Sequence, residues 1–253
     1  MTVDYPKPEH STSLRQLWKE AFGDTDAFLD MFFSKAFAQH RCRCITENNI
    51  AVAALYIFDC QWHSKKIAYI YAVATAKSHR GKGLCHLLMN DTHNLLKAMG
   101  YAGAILVPGS DSLFKFYETM GYKTCSYICE YTCETADKTL PLKEITKEEF
   151  CSLRKKYLPE NSVLQENENL DFLGAYSQFY AGEDFILTAF KDNGKLICAE
   201  ILGNTENSTK ILATLNCTVG TFRTKGDSRP FAMHLSFEDS SPTAPSYFGF
   251  AFD

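Results

Sequence analysis

The sequence predicts an α/β (α+β) chain in two halves, on three observations. Two amphipathic helical patterns open it, at residues 11–22 and 25–37. Strand-like segments follow and end in a basic, glycine-rich turn that runs straight into a third helix. Beyond a polar stretch at 134–141, the order of helices, hairpin, helix and strands comes round again, faintly and without the glycine-rich turn. The expected domains are therefore residues 1–135 and 136–253.

Leu14, Leu17, Trp18 and Phe22 recur at helical spacing in the first segment, and Phe28, Met31, Phe32 and Phe37 in the second. Glu47-Asn48-Asn49 reads as a hairpin turn between strands near 41–46 and 50–60. His63-Ser64-Lys65-Lys66 is a second turn and leads to a strand at 67–75. A helix at 83–99 ends at Gly100. Pro108-Gly109 stops a short buried strand at 103–107. Ser110 or Asp111 caps a helix at 111–120, which Gly121 ends before a strand at 122–133. In the second half, Thr146-Lys147-Glu148-Glu149 has the capping-box pattern, and a further helix is expected at 169–180. Asp192-Asn193-Gly194 joins strands at 185–190 and 195–202. A helix at 208–216 and strands at 231–237 and 246–252 complete the expectation.

The chain has 253 residues, 45% of them hydrophobic and 22% charged, as in ordinary globular proteins. Up to Thr135 it carries 14 basic and 13 acidic residues, a net of +1; the rest carries 12 and 17, a net of −5. Nothing in that balance calls for nucleic acid, and the acidic half is a poor place for an anionic cofactor. No apolar run approaches the roughly 20 residues of a membrane helix, so no membrane partner is expected. The expected location is cytoplasmic, where the ten cysteines, none in a CxxC pair, stay reduced and buried rather than binding metal.

Ala72-Val73-Ala74-Thr75-Ala76-Lys77-Ser78-His79-Arg80-Gly81-Lys82-Gly83-Leu84-Cys85 is the most informative stretch. A strand, a glycine-rich basic turn and a helix N-terminus form a nest of N–H groups suited to a phosphorylated ligand. A P-loop would need Gly-x4-Gly-Lys-Ser/Thr, which is absent. A dinucleotide fingerprint would need a third glycine where His86 stands. Arg/Gln-x-x-Gly-x-Gly/Ala fits Arg80–Cys85 except at the last position.

That pattern resembles the acyl-CoA-binding motif of the GNAT superfamily of N-acetyltransferases. Ser110-Asp111-Ser112-Leu113-Phe114-Lys115-Phe116-Tyr117-Glu118-Thr119-Met120-Gly121-Tyr122 resembles the family's late helix, at a family-like distance. The resemblance covers about residues 10–133. Tyr71–Thr75 and the two-unit layout look most like the tandem, Eis-like branch, without a sterol-carrier-like domain. It implies a GNAT fold, with a central mixed, mostly antiparallel sheet flanked by helices, followed by a degenerate GNAT-like domain that walls the acceptor pocket or mediates assembly. It departs at Cys85, where Gly or Ala is usual, and at Ser110, where Asn is frequent.

The resemblance implies acetyl-CoA as cosubstrate and an amine, small-molecule or peptide, as acceptor. The amides of Gly81, Lys82, Gly83, Leu84 and Cys85 would hold the pyrophosphate, with Arg80 and Lys82 as cationic donors. The main chain of Val73, Ala74 and Thr75 would hold the pantetheine arm and the thioester oxygen, and Ser110 would touch the CoA arm. Tyr117 would be the general acid, a phenol that keeps its proton at neutral pH. Residues 67–75 hold no carboxylate to act as base; Tyr69 and Tyr71 stand there, which leaves Asp59, the terminal carboxylate of Asp253 or a water route. Asp24, Asp26 and Asp30 lie on the helices expected to meet the acceptor, though a solvated acidic face accounts for them as well. His86 and His93, seven apart, read as surface or packed residues. The alternative is a non-catalytic acyl-CoA-binding or interaction protein; a homo-oligomer is compatible with either reading.

Overall fold

The computed structural model describes residues 1–238 and 243–252. It divides into two compact units, Met1–Lys123 with His234–Thr243, and Thr124–Met233 with Ala244–Asp253. The division is interleaved, whereas the sequence suggested one cut after residue 135.

The first unit contains β1 (Val3–Asp4), α1 (Ser11–Phe22), α2 (Asp26–Lys35), β2 (Cys42–Glu47), β3 (Ile50–Trp62), β4 (Lys65–Thr75), α3 (Leu84–Ala98), β5 (Gly103–Leu106) and α4 (Asp111–Glu118). The strands lie in the order β1-β2-β3-β4-β5, antiparallel up to β4, with β4 and β5 parallel. A parallel pair needs a crossover, and α3 supplies it. Asn48 and Asn49, both at positive φ (48° and 64°), make the tight turn between β2 and β3. Ala51 to Phe58 is buried without a break, because helices cover both faces of the sheet. Trp18 of α1 and Phe32 of α2 pack on Tyr56, each with ring centroids 5.0 Å apart. On the other face, Arg43 of β2 reaches Asp91 of α3 at 2.6 Å. Cys42 and Cys44 are both buried and lie opposite Tyr56 and Ala54 in the ladder.

The second unit contains β6 (Lys123–Glu134), β7 (Lys143–Glu144), α5 (Lys147–Tyr157), β8 (Val163–Gln165), α6 (Glu168–Leu173), β9 (Gln178–Ala181), β10 (Phe185–Asp192), β11 (Lys195–Gly203), α7 (Ser208–Thr214), β12 (Val219–Lys225) and β13 (Arg229–Ser236), whose last three residues belong to the first unit. Thr146 and Glu149 form the expected capping box. Asn193 and Gly194 turn the β10–β11 hairpin, and α7 then crosses to β12, which pairs parallel with β11. Two expectations fail here. The helix expected at 169–180 stops at Leu173, and Gln178–Ala181 instead pairs as a strand with β10. The strand expected at 246–252 is an irregular buried segment. The Tyr247 carbonyl accepts from Val163 N–H at 2.8 Å, and side chains add two further backbone bonds: Phe248 N–H donates to Ser126 Oγ at 3.0 Å, and Gln165 Nε2 donates to the Phe250 carbonyl at 2.8 Å. Tyr247 donates to Glu200, which also makes a two-pronged pair with Arg154 at 2.6 and 3.0 Å. Gly249 fits only because it lacks a Cβ, which would fall 1.5 Å from Glu200 Oε1.

His10, His93 and His234 are buried in the first unit. His93 Nε2 lies 2.8 Å from the Tyr122 hydroxyl, and His234 packs on Trp62 at 5.8 Å. Burial holds both down at about 4. An unfolded histidine titrates near 6.5, so as pH falls the unfolded chain takes up these protons first. Their contribution is fully present above about pH 6.5 and is lost as pH falls towards 4. Urea unfolding between pH 7 and 4.5 is expected to show this loss, with a shallower pH slope in His93→Asn; an unchanged slope contradicts the assignment.

Candidate active site

The site begins with a fault in β4. Ala54 lies opposite Ala74, but Tyr56 lies opposite Tyr71, so Ala72 and Val73 together face Leu55. Ala72 takes the left-handed backbone at φ 48°, completing a β-bulge. The bulge changes which residues face α1. Tyr71 packs on Trp18 at 5.6 Å before it, whereas Ala72 and Ala74 line the same α1 face after it.

The other edge of β4 is open. β4 and β5 pair at Ile67–Gly103, Ala68–Ala104 and Tyr69–Ile105, and no further pair follows. Ala76 N–H donates to the Val52 carbonyl at 2.8 Å, on the β3 side. Strand alternation therefore turns the N–H groups of Val73 and Thr75 towards the open edge, and that of Ala74 away from it. Arg80 Nε donates to the Thr75 carbonyl at 3.1 Å, also on that edge.

The glycine-rich turn continues directly from this strand. A short 3₁₀ turn at Lys77–His79 is pinned twice: Glu20 of α1 accepts from Lys77 N–H, and His79 Nε2 lies 3.0 Å from Glu47. The His79 hydrogen bond, more than any other contact, holds the Glu47 carboxyl below its ordinary range. Gly81 and Gly83 then take φ 74° and 76°, values that L side chains rarely adopt. A Cβ at either would meet nothing within 4 Å, so space lies open above the turn. Gly83 caps α3 with no side-chain hydrogen bond, and no acidic residue lies in the first turn. The first N–H groups of a 15-residue helix are thus left to an external acceptor. Leu84 is buried beneath them, and Cys85 is half-buried, with its thiol pushed up to about 11 by burial. Lys82 is exposed.

Tyr117 lies on α4 and is buried, flanked by Phe116 at 5.4 Å and Tyr122 at 5.8 Å. Its hydroxyl has no hydrogen-bond partner among the described residues. Burial, and secondarily the nearby Cys85, pushes its pKa well above that of a free phenol, so it keeps its proton. Ser110 is the exposed N-cap of α4; its hydroxyl lies 3.0 Å from Ser112 Oγ and bonds no backbone amide of the helix.

The other candidates are engaged elsewhere. Asp59 lies opposite Ala68, away from the bulge, and is held by Tyr101 and by Lys66 at 3.2 Å. Asp24 accepts from Trp18 Nε1 at 2.7 Å, Asp26 pairs with Lys19 and Arg15, and Asp30 pairs with Arg15. His86 lies 3.3 Å from the Thr119 hydroxyl. Asp253 lies outside the described residues. Among the described residues no cluster could hold a metal ion, and no helix is long and apolar enough to cross a membrane. Sequence reasoning missed the bulge at Ala72, since small residues suit a regular strand equally well. Gly83→Val would force a branched side chain into the left-handed region, at a cost of about 1–2 kcal/mol, and crowd the nest. Calorimetry with CoA is expected to show at least a tenfold loss of affinity with far-ultraviolet circular dichroism unchanged; full affinity contradicts a role for the turn.

Residues 2–125 match the family model described as an acetyltransferase (GNAT) domain. Among solved structures, a GCN5-related N-acetyltransferase from Kribbella flavida is 15% identical with a TM-score of 0.68, over 92% of this chain and 70% of that one. A GCN5-related N-acetyltransferase from Anabaena variabilis is also 15% identical, with a TM-score of 0.72 over 92% and 72%. Eis1 from Mycobacterium abscessus is 11% identical, with a TM-score of 0.62 over 91% and 66%. A comparison with curated proteins found no match. Identities this low speak for the fold alone. Residues 2–125 thus carry a match to the GNAT acetyltransferase domain, and the chain shares its fold with proteins named GCN5-related N-acetyltransferases.

Proposed function

We propose that residues 1–135 bind acetyl-CoA and pass its acetyl group to an amine by direct attack. The observation that carries this reading is the open ladder beyond Tyr69 and Ile105, which runs into an uncapped helix N-terminus. Acetyl-CoA supplies an activated acetyl thioester. Outward N–H groups at Val73 and Thr75 suit the amides of the pantetheine arm and the charge that develops on the thioester oxygen. The amides of Gly81–Cys85, with Arg80 and Lys82, suit the pyrophosphate; an anion at such a helix end gains about 0.3–1 kcal/mol, more where it is partly buried. Tyr117 holds its proton firmly, so its part is to donate a hydrogen bond to the departing sulfur. A bond forms from nitrogen to the acetyl carbon and the carbon–sulfur bond breaks. Nitrogen sheds its proton to water, and the sulfur, leaving as a thiolate held by the Tyr117 hydrogen bond, takes one up from water.

We also propose that residues 136–253 are a degenerate copy of the same fold without a donor site. The antiparallel hairpin of β10 and β11, followed by α7 and a parallel β12, repeats the order β3, β4, α3, β5. Where the first copy has its glycine-rich turn, the second has Asn204 and Asn207, which donate to the two carboxylate oxygens of Asp184 at 2.8 and 3.1 Å. An internal carboxylate there replaces a bound phosphate. The activity belongs in the cytoplasm, where its ten thiols, none of them in a disulfide, stay reduced.

The lack of any carboxylate in β4 favours a second reading, that of a non-catalytic acyl-CoA-binding protein. Tyr117→Phe separates the two. Transfer predicts a fall in kcat on the order of 10²-fold, with CoA affinity within twofold. Unchanged kcat removes Tyr117 from the mechanism, and CoA binding without amine-dependent CoA release favours the second reading.

A further inference from the structure

Two histidines of α3, His86 and His93, both reach the segment that ends α4. His86 Nε2 lies 3.3 Å from the Thr119 hydroxyl, and its ring meets that of Phe116 at 5.1 Å. The Thr119 hydroxyl already donates to the Phe116 carbonyl at 2.6 Å, so it accepts from His86. His93 stands about two turns further along the helix. It is buried, with Nε2 2.8 Å from the Tyr122 hydroxyl, and the Phe237 ring packs on the same imidazole at 5.7 Å.

Tyr122 is joined to Tyr117 twice. Its N–H donates to the Tyr117 carbonyl at 3.2 Å, past Gly121 at φ 89°, and its ring stands edge-on to the Tyr117 ring at 5.8 Å. α4 has eight residues and no side-chain cap at Ser110, so it is too short to be stable by itself. Its place comes from what it packs on and bonds to. Tyr122 is 1% exposed, so its bond to His93 runs through the interior, where an unmade partner is costly. Burial holds the imidazole down at about 4 and pushes the phenol up, so both groups are neutral at pH 7. The pair carries geometry, not charge.

The other end of α3 is the amide nest at Gly81–Cys85. Burial raises the Tyr117 pKa and the Cys85 thiol adds to it, which places the phenol near the first turn of α3. One helix thus serves both parts. Its first turn lies by the nest and Tyr117; His93, about 12 Å along the axis from Cys85, holds the tyrosine on which Tyr117 rests.

We infer that the His93–Tyr122 pair positions Tyr117, fixing where its hydroxyl stands relative to the first turn of α3 and so to the departing sulfur. The inference rests on the acetyl-transfer reading above, with Tyr117 as hydrogen-bond donor to that sulfur. His93 and Tyr122 act through Tyr117 and are positioning residues. A phenol displaced by about 1 Å loses its bond in the transition state, while the amides suited to the donor stay in place.

The test uses the full chain, acetyl-CoA and the fastest amine among glycine amide, phenylalanine amide, lysine amide, glucosamine and spermidine, with release of free thiol as readout. Tyr122→Phe removes one hydroxyl and keeps the ring beside Tyr117. His93→Leu removes the other partner, and His93→Gln supplies a side chain that can still bond Tyr122. Tyr122→Phe and His93→Leu are each expected to lower kcat on the order of tenfold, with CoA affinity within about twofold and far-ultraviolet circular dichroism unchanged. The double variant should be no slower than the slower single, and His93→Gln should recover most of the loss. In a Tyr117→Phe background, Tyr122→Phe should lower kcat no further. Should His93→Leu fail to fold, Tyr122→Phe and His93→Gln decide alone. A further fall in the Tyr117→Phe background, a loss of CoA affinity equal to the loss of kcat, or full kcat in Tyr122→Phe overturns the inference; a slowed Tyr117→Phe then leaves acetyl transfer standing. Full kcat in Tyr117→Phe, or no thiol release above the protein-free rate with any of the five amines, counts against the reading beneath and takes the inference with it.

Discussion

Two parallel strands that begin paired and end apart set the slot proposed for the acyl donor. β4 and β5 share three residue pairs, and then the ladder stops while β4 continues for six residues to Thr75. An open strand edge inside a fold is costly unless something bonds to it. The bulge at Ala72 belongs to the same arrangement. An alanine at φ 48° gives up about 1–2 kcal/mol, and it persists because β3 pairs with β4 on both sides of it. One local distortion thus divides the strand's duties. Side chains at Ala72 and Ala74 face α1, and amides at Val73 and Thr75 face the open edge proposed for the donor.

The turn after the strand is held from outside rather than by its own glycines. Glu20 and Glu47 fix the 3₁₀ segment at Lys77–His79, and Arg80 folds back onto the Thr75 carbonyl. Gly81 and Gly83 supply the left-handed backbone of the turn, and their missing side chains leave its amides exposed. The second unit solves the opposite problem. Its buried Arg154–Glu200 pair, with Tyr247 and the Phe250 ring 4.5 Å from the guanidinium, ties an irregular C-terminal segment into the core. Loss of one partner in such a pair leaves a buried charge and costs about 3–5 kcal/mol.

Most regular elements were legible in the sequence because each has its own period. α1, β2, β3, α3 and α4 lie within two residues of their expected bounds, fixed by local signals such as Asn48-Asn49 and Gly100. The misreadings share one cause, since long-range contacts overrode local pattern. Phe179 and Tyr180 continue a helical spacing, yet they enter the sheet because β10 offers a ladder. Tyr247 to Phe252 alternates like a strand, yet beyond one backbone bond from Val163 N–H to the Tyr247 carbonyl it is tied in by side chains of distant elements. At the site, the turn and Tyr117 were legible as motifs. The bulge was not, since Ala-Val-Ala-Thr carries no mark of it. Nor was the commitment of Asp24, Asp26, Asp30 and Asp59, which depends on partners up to 42 positions away.

The central claim is that the open edge of β4 receives the acyl donor. A crystal structure of the full chain with CoA tests it most directly. The account predicts pantetheine amides within about 2.7–3.2 Å of main-chain atoms of Val73 and Thr75, phosphates on the Gly81–Cys85 amides, and the sulfur beside the Tyr117 hydroxyl. CoA bound elsewhere, or β4 and β5 paired through to Thr75, would contradict it.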